Sequence, residues 1–248
     1  MPPHTSCCYR CPICSRGVVG TREAVITIGI VQRFRGDVLV SEQANVDCAA
    51  GFGVRLIGCA DDAVLPIGMH DYAEALGCCM LVDKTMFIAD VLDCDASVVV
   101  CCRPEGFGKS MNLSMLRAFL ERPAVGRSGQ RLFADAQIWD ANGGRYRDEY
   151  ACYPVISLDF SGAARRGAAV ADVVRDALSG ECARLLALLG APDLTRDKVR
   201  HIERVARGVA SEDEVASVLG VLIELLETAC DEQVVLLVDG YDAAWLGR

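Results

Sequence analysis

The stretch Val98-Val-Val-Cys-Cys-Arg103-Pro-Glu-Gly-Phe-Gly108-Lys109-Ser110 decides how this chain is read. Residues 97–102 are apolar at both odd and even positions, which describes a strand buried on both faces, as in a parallel sheet. A turn rich in glycine follows. From Ser110 to Glu121, Leu113, Leu116, Phe119 and Leu120 recur at helical spacing, so a helix starts directly after the turn. Working outward, the same pattern returns. Pro154–Leu158 is a second strand, ending in Asp159, and Val234–Val238 is a continuous apolar strand ending in Asp239. Helices are expected over 169–189, 195–209 and 215–228, the last opened by Ser211-Glu-Asp-Glu214, a capping box. Upstream, residues 70–76 read as a short helix, and Asp83 or Thr85 caps another that runs to about Leu92. Strands alternating with helices predict an α/β domain with a mainly parallel sheet.

An apolar strand, a turn closed by Gly-Lys-Ser and an immediate helix form the layout of a P-loop. Backbone N–H groups of such a turn, together with the positive helix end, cradle phosphates. Lys109 would reach the β- and γ-phosphates, and Ser110 would contact magnesium. Gly108 is needed because a side chain there would crowd the phosphate. The usual spacing places glycine at position 103, where this chain has Arg103. A strand ending in Asp239 suits the second requirement of the chemistry, a carboxylate that steadies the hydrated magnesium near Ser110.

The 248 residues are 52% apolar and 24% charged, a globular balance. A net charge of −9 argues against broad nucleic-acid binding, which needs a basic footprint. Apolar runs such as 215–226 are too short to span a bilayer, and the first residues lack a basic start followed by an apolar run. A cytoplasmic or otherwise intracellular protein is expected. Fourteen cysteines, several within apolar runs, read as reduced packing residues rather than a disulfide framework. Cys7, Cys8, Cys11 and Cys14 have the spacing of a zinc knuckle without a second pair downstream. An unstructured tail is the alternative. Residues 24–30 and 37–40 flank Arg35-Gly36 and suggest a short hairpin. Residues 1–62 are therefore set apart as an atypical extension and 63–248 as the main domain.

Five ordered motifs carry a resemblance. They are Leu65-Pro-Ile-Gly68, Val82-Asp83-Lys84-Thr85, Arg103-Pro-x-x-Phe107-Gly108-Lys109-Ser110, Tyr153-Pro-Val-Ile-Ser-Leu-Asp159-Phe-Ser and Leu237-Val-Asp239-x-Tyr241-Asp242. Together they resemble the AAA-ATPase-like domain usually found ahead of a PD-(D/E)XK nuclease-like domain, over residues 63 to 246. Arg103 in place of the first P-loop glycine is a trait of that family. The resemblance implies a P-loop NTPase-like three-layer domain that binds ATP and Mg2+. The nucleotide would be held by Arg103, Pro104, Gly106, Phe107, Gly108, Lys109 and Ser110, and the metal by Ser110 and Asp239. Asp83 is either a helix cap or a further lining residue of the nucleotide pocket, and Asp159 either a loop cap or a member of the same cleft.

The departures bear on function. Glu105-Gly106 stands where the family has two arginines, placing negative charge beside the phosphates. Gly240 stands where the family has the glutamate that orients the attacking water, with Asp239 and Asp242 the carboxylates left for catalysis. Weak or absent hydrolysis is expected, and restoring glutamate at position 240 is expected to raise it. The chain stops soon after Asp242, so the resemblance implies a domain incomplete at its C-terminal side and a nuclease-like partner domain outside it. Three functions compete: an ATPase-like nucleotide-binding module, a degenerate module acting through protein contacts, and a P-loop kinase.

Overall fold

The apolar run at 98–102 forms a strand, and three further parallel strands build the main sheet. The computed structural model describes residues 26–31, 55–58, 65–94, 96, 98–102, 106–122, 132–161, 169–189 and 196–240. In chain order these hold β1 (Ile26–Val31), β2 (Leu56–Gly58), α1 (Tyr72–Cys78), β3 (Met80–Val82), α2 (Met86–Leu92), β4 (Val98–Cys102) and α3 (Lys109–Leu120). There follow α4 (Gln137–Asp140), a 3-10 segment (Ala141–Glu149), β5 (Val155–Asp159), α5 (Val170–Leu189), α6 (Arg196–Ala206), α7 (Glu212–Cys230) and β6 (Val235–Asp239). The main sheet has the order β4-β1-β6-β5, all parallel, while β2 and β3 form a separate antiparallel pair.

Alternation along the strands sends successive residues to opposite faces, and each face has its own helical cover. Val99, Cys101, Val235, Leu237 and Val155 pack with Leu113, Leu116 and Phe119 of α3, Ala75 of α1 and Ile88 of α2. Phe119 meets Phe133 edge-on at 5.1 Å and Tyr150 at 5.4 Å, which fills the space behind α3. On the other face Ile156, Leu158, Leu236 and Val238 pack with Leu178, Cys182 and Leu185 of α5, Ile202 and Val205 of α6, and Leu222 and Leu225 of α7. Each fully buried aliphatic or aromatic side chain stabilises the fold by about 1.5–3 kcal/mol. Cys182 belongs to that core, and burial pushes its thiol up to about 12, the behaviour of an inert packing cysteine. Cys7, Cys8, Cys11 and Cys14 lie outside the described residues.

Two differences from the sequence reading have physical causes. Residues 26–30 do not form a hairpin arm: β1 lies between β4 and β6 and pairs in parallel with both, and 37–40 lies outside the described residues. A β-branched run fits a hairpin or a central strand equally well, and long-range pairing alone separates them. The sheet therefore draws on residues before position 63. Secondly, α6 stops at Ala206 rather than Val209, because Gly208 turns into the left-handed region at φ +70° and closes the helix. The capping box is present: the Ser211 hydroxyl accepts from the Glu214 N–H at 3.3 Å, and Glu214 Oε2 accepts from the Ser211 N–H at 2.7 Å.

The outer edge of β5 is closed by α5. Glu181 Oε1 accepts from the Ser157 N–H at 2.7 Å, and Arg184 donates to the Val155 carbonyl at 2.8 Å. Arg184 also pairs with Glu121 and Glu181, so these charges find partners where they are buried. Two of the backbone groups that would pair with another strand, the Ser157 N–H and the Val155 carbonyl, are thereby satisfied.

Candidate functional site

Parallel pairing brings every strand's carboxyl end to one edge of the sheet. Val100, Gly29, Val238 and Leu158 are level across the four strands. One residue further on stand Cys101 in β4, Asp239 in β6 and Asp159 in β5, with Asp159 and Asp239 directly paired. Since β1 alone separates β4 from β6, Asp239 is offset from β4 by two strand spacings, roughly 10 Å. Val235 and Leu237 lie on the face covered by α3, and strand alternation puts Asp239 on that same face.

The turn between β4 and α3 has the conformation its glycines allow. Gly106 has φ +81° and Gly108 φ +76°, both in the region that disfavours a Cβ. Gly108 is the residue before the first turn of α3, and its carbonyl accepts from the Asn112 N–H at 2.9 Å. Gly108, at the cap position, has no side chain with which to cap this helix start. The N–H groups of Ser110 and Met111, in the first turn, have no intrahelical acceptor and lie at the positive end of the helix dipole. Phe107 is 60% exposed. Arg103, Pro104 and Asp242 lie outside the described residues.

At the end of β6 the backbone is tightly held. The Asp239 carbonyl accepts from the Phe160 N–H at 2.9 Å, and Asp159 Oδ1 accepts from the Ser161 N–H at 2.8 Å. Gly240 has φ +61°, and a Cβ there would come within 2.6 Å of the Ser161 nitrogen and 2.8 Å of its Cα. This corrects the expectation that glutamate at position 240 restores hydrolysis. A side chain there must displace the backbone that follows β5. Asp159, for its part, caps its own turn through the bond to Ser161.

Asp83 is a structural clamp. Its Oδ1 accepts from the Thr85 N–H at 2.9 Å and the Thr85 hydroxyl at 2.6 Å, and its Oδ2 accepts from the Gln137 N–H at 2.8 Å. The Thr85 hydroxyl in turn accepts from the Ile138 N–H at 3.2 Å. The Asp83 side chain is fully buried, with Arg55 3.8 Å away. The two residues thus tie the start of α2 to the start of α4, and the Asp83 carboxylate is engaged there rather than at the turn before α3. Between them Lys84 is exposed, with its Nζ 3.8 Å from the point that a Cβ on Gly108 would occupy. The sequence places Lys84 in a motif, but nothing in it reveals that the ammonium lies against the turn before α3, because 24 positions separate it from Gly108.

The donor set can be tested against the implied group. Among the described residues no group of three or more His, Cys, Asp or Glu side chains could hold a metal by itself. Magnesium, which keeps several waters and uses one or two protein oxygens plus phosphates, fits a hydroxyl from Ser110 and a carboxylate from Asp239. A shallow cleft lined by Val91, Leu120, Tyr153 and Gln233 lies at the opposite edge, beside the strands' amino ends. Among the described residues no helix is long and apolar enough to cross a membrane.

Neither a curated protein nor a solved structure matches this chain. A family model does, the one described as Predicted AAA-ATPase, and it matches residues 66–247. That span contains the turn at Gly108, the clamp at Asp83 and the strand ending in Asp239, and by it the chain belongs to the AAA-ATPase-like family.

Proposed function

We propose that this chain binds a magnesium nucleotide, ATP, at the carboxyl edge of its sheet, with slow hydrolysis or none. The observation that carries the reading is the start of α3 behind a left-handed Gly108, with Asp239 on the same edge and the same face of the sheet. The arrangement is consistent with a P-loop three-layer domain. In this reading the first-turn N–H groups and the Lys109 ammonium hold the β- and γ-phosphates, and Gly106 and Gly108 let the backbone approach them. Arg103, Pro104 and Phe107 belong to the same turn by sequence. Ser110 and Asp239 would orient Mg2+, which when bound supplies charge neutralisation on the phosphates. The nucleotide-binding unit is proposed to run from about residue 63 to 248, completed by β1, and a nuclease-like domain is its proposed partner.

The close approach of Gly240 to Ser161 supports weak turnover, since no base can project from position 240 without moving backbone. The same observation favours a second reading, in which the module acts through protein contacts and nucleotide binding is residual. A titration with Mg·ATP separates the two. Saturable, magnesium-dependent binding that disappears in Lys109→Ala, while the melting temperature stays near that of the parent, is the expected result. No binding at millimolar ATP would transfer the assignment to the interaction module.

A further inference from the structure

We infer that Lys84 is a second phosphate-binding cation, reaching the terminal phosphates from the β3–α2 corner. The inference rests on the nucleotide reading above and adds to it a residue from a different part of the chain. Its Nζ sits against Gly108, at the start of α3. That is where a cation is disfavoured in the absence of an anion, because the helix dipole presents positive charge there. Among the described residues no ion pair to Lys84 compensates this placement. A flexible exposed lysine would ordinarily swing into solvent, but its backbone is fixed on both sides. Asp83 and Thr85 bind the starts of α2 and α4, and the Asp83 N–H donates to the Arg55 carbonyl at 2.8 Å. Fixed backbone on either side of an exposed ammonium keeps that ammonium within reach of whatever the turn holds. A triphosphate tail carries the charge that makes the juxtaposition of two lysines and a helix start favourable.

The arrangement also explains why Asp83 and Thr85 flank this lysine. They set its position, and Lys84 makes the contact.

The test compares Mg·ATP, AMP and inorganic tripolyphosphate binding by the parent protein, Lys84→Gln, Lys84→Arg and Lys109→Ala, each checked by thermal melting. Lys84→Gln is expected to weaken ATP and tripolyphosphate about tenfold while leaving AMP unchanged. Its melting temperature should be equal or slightly higher, because a repulsive charge is gone. Lys84→Arg should recover much of the loss. If the parent binds ATP, Lys109→Ala abolishes binding and Lys84→Gln binds as the parent does, the inference about Lys84 is overturned and the nucleotide reading stands. If the parent binds neither ATP nor tripolyphosphate, the nucleotide reading falls and Lys84 falls with it. Equal weakening of AMP by Lys84→Gln would assign a structural role and also overturn the inference.

Discussion

Two glycine turns lie on the same edge of this sheet, and they need glycine for different reasons. In the turn after β4, Gly106 and Gly108 adopt φ of +81° and +76°. Among the described residues, a Cβ on Gly106 would meet nothing within 4 Å, and one on Gly108 only the Lys84 ammonium at 3.8 Å. In the turn after β6, Gly240 adopts φ +61° with the Ser161 backbone 2.6 Å from a would-be Cβ. The first turn uses glycine to shape backbone around a space, the second to let two chain segments touch. The first arrangement suits a ligand, and the second belongs to the folded core of the edge. An equivalent substitution should therefore have opposite signatures at the two places, one in binding and one in stability.

The largest effect is expected at the packed turn. Gly240→Glu must place a non-glycine residue in the left-handed region, costing about 1–2 kcal/mol, and must push against backbone, costing roughly 1–3 kcal/mol more. Urea unfolding should show a loss of about 3 kcal/mol, and phosphate release should not rise above that of the parent. Ser161→Gly should fail to rescue it, because the Ser161 nitrogen and Cα make the closest approaches. A stable Gly240→Glu protein with faster turnover would break the comparison and restore the simple view of a missing base.

At the open turn the effect on stability is smaller and that on binding larger. Gly108→Ala and Gly106→Ala should each cost about 1 kcal/mol of folding free energy, the strain of a Cβ at positive φ. Gly108→Ala should in addition abolish ATP binding in the titration, since the added methyl enters the space where phosphate would lie, whereas Gly106→Ala should only weaken it. Stability losses as large as at position 240 would mean that the first turn is packed too.

A control touching neither turn should give the smallest change. The hydrogen bond from Arg204, with the Ser211 N–H, lowers the Glu214 carboxyl from 4.5 to about 2. A depressed folded pKa stabilises above the unfolded value and ceases to do so as pH falls through the folded one. The urea-midpoint advantage of the parent over Glu214→Gln should hold at neutral pH and shrink between about 4.5 and about 2. An advantage that persisted below that window would exclude the ionised carboxylate as its source.

Much of the fold could be read locally. The run at 98–102, the helix with Leu113, Leu116 and Phe119, and the Ser211–Glu214 capping box are specified by residues within a few positions of one another, and each occurs close to where the sequence puts it. The identity of the turn residues 106–110 was likewise visible, because left-handed backbone and a Gly-Lys-Ser helix start are local matters. Asp83 left two readings open, and the choice depended on Gln137, more than fifty positions away. The hairpin expected over 24–40 failed in its first arm for the same reason. What β1 pairs with is decided at residues 98–102 and 235–238, not by its own composition.

The sequence by itself determined the parallel α/β character, the glycine turn ahead of α3 and the carboxylate at the end of β6, since periodicity, caps and turn chemistry act over a few residues. Only the tertiary structure decided that β1 separates β4 from β6, that Lys84 stands against Gly108, and that Gly240 is pressed onto Ser161. These depend on chain segments brought together when the sheet closes, and contacts of that range leave no mark in the local pattern of side chains.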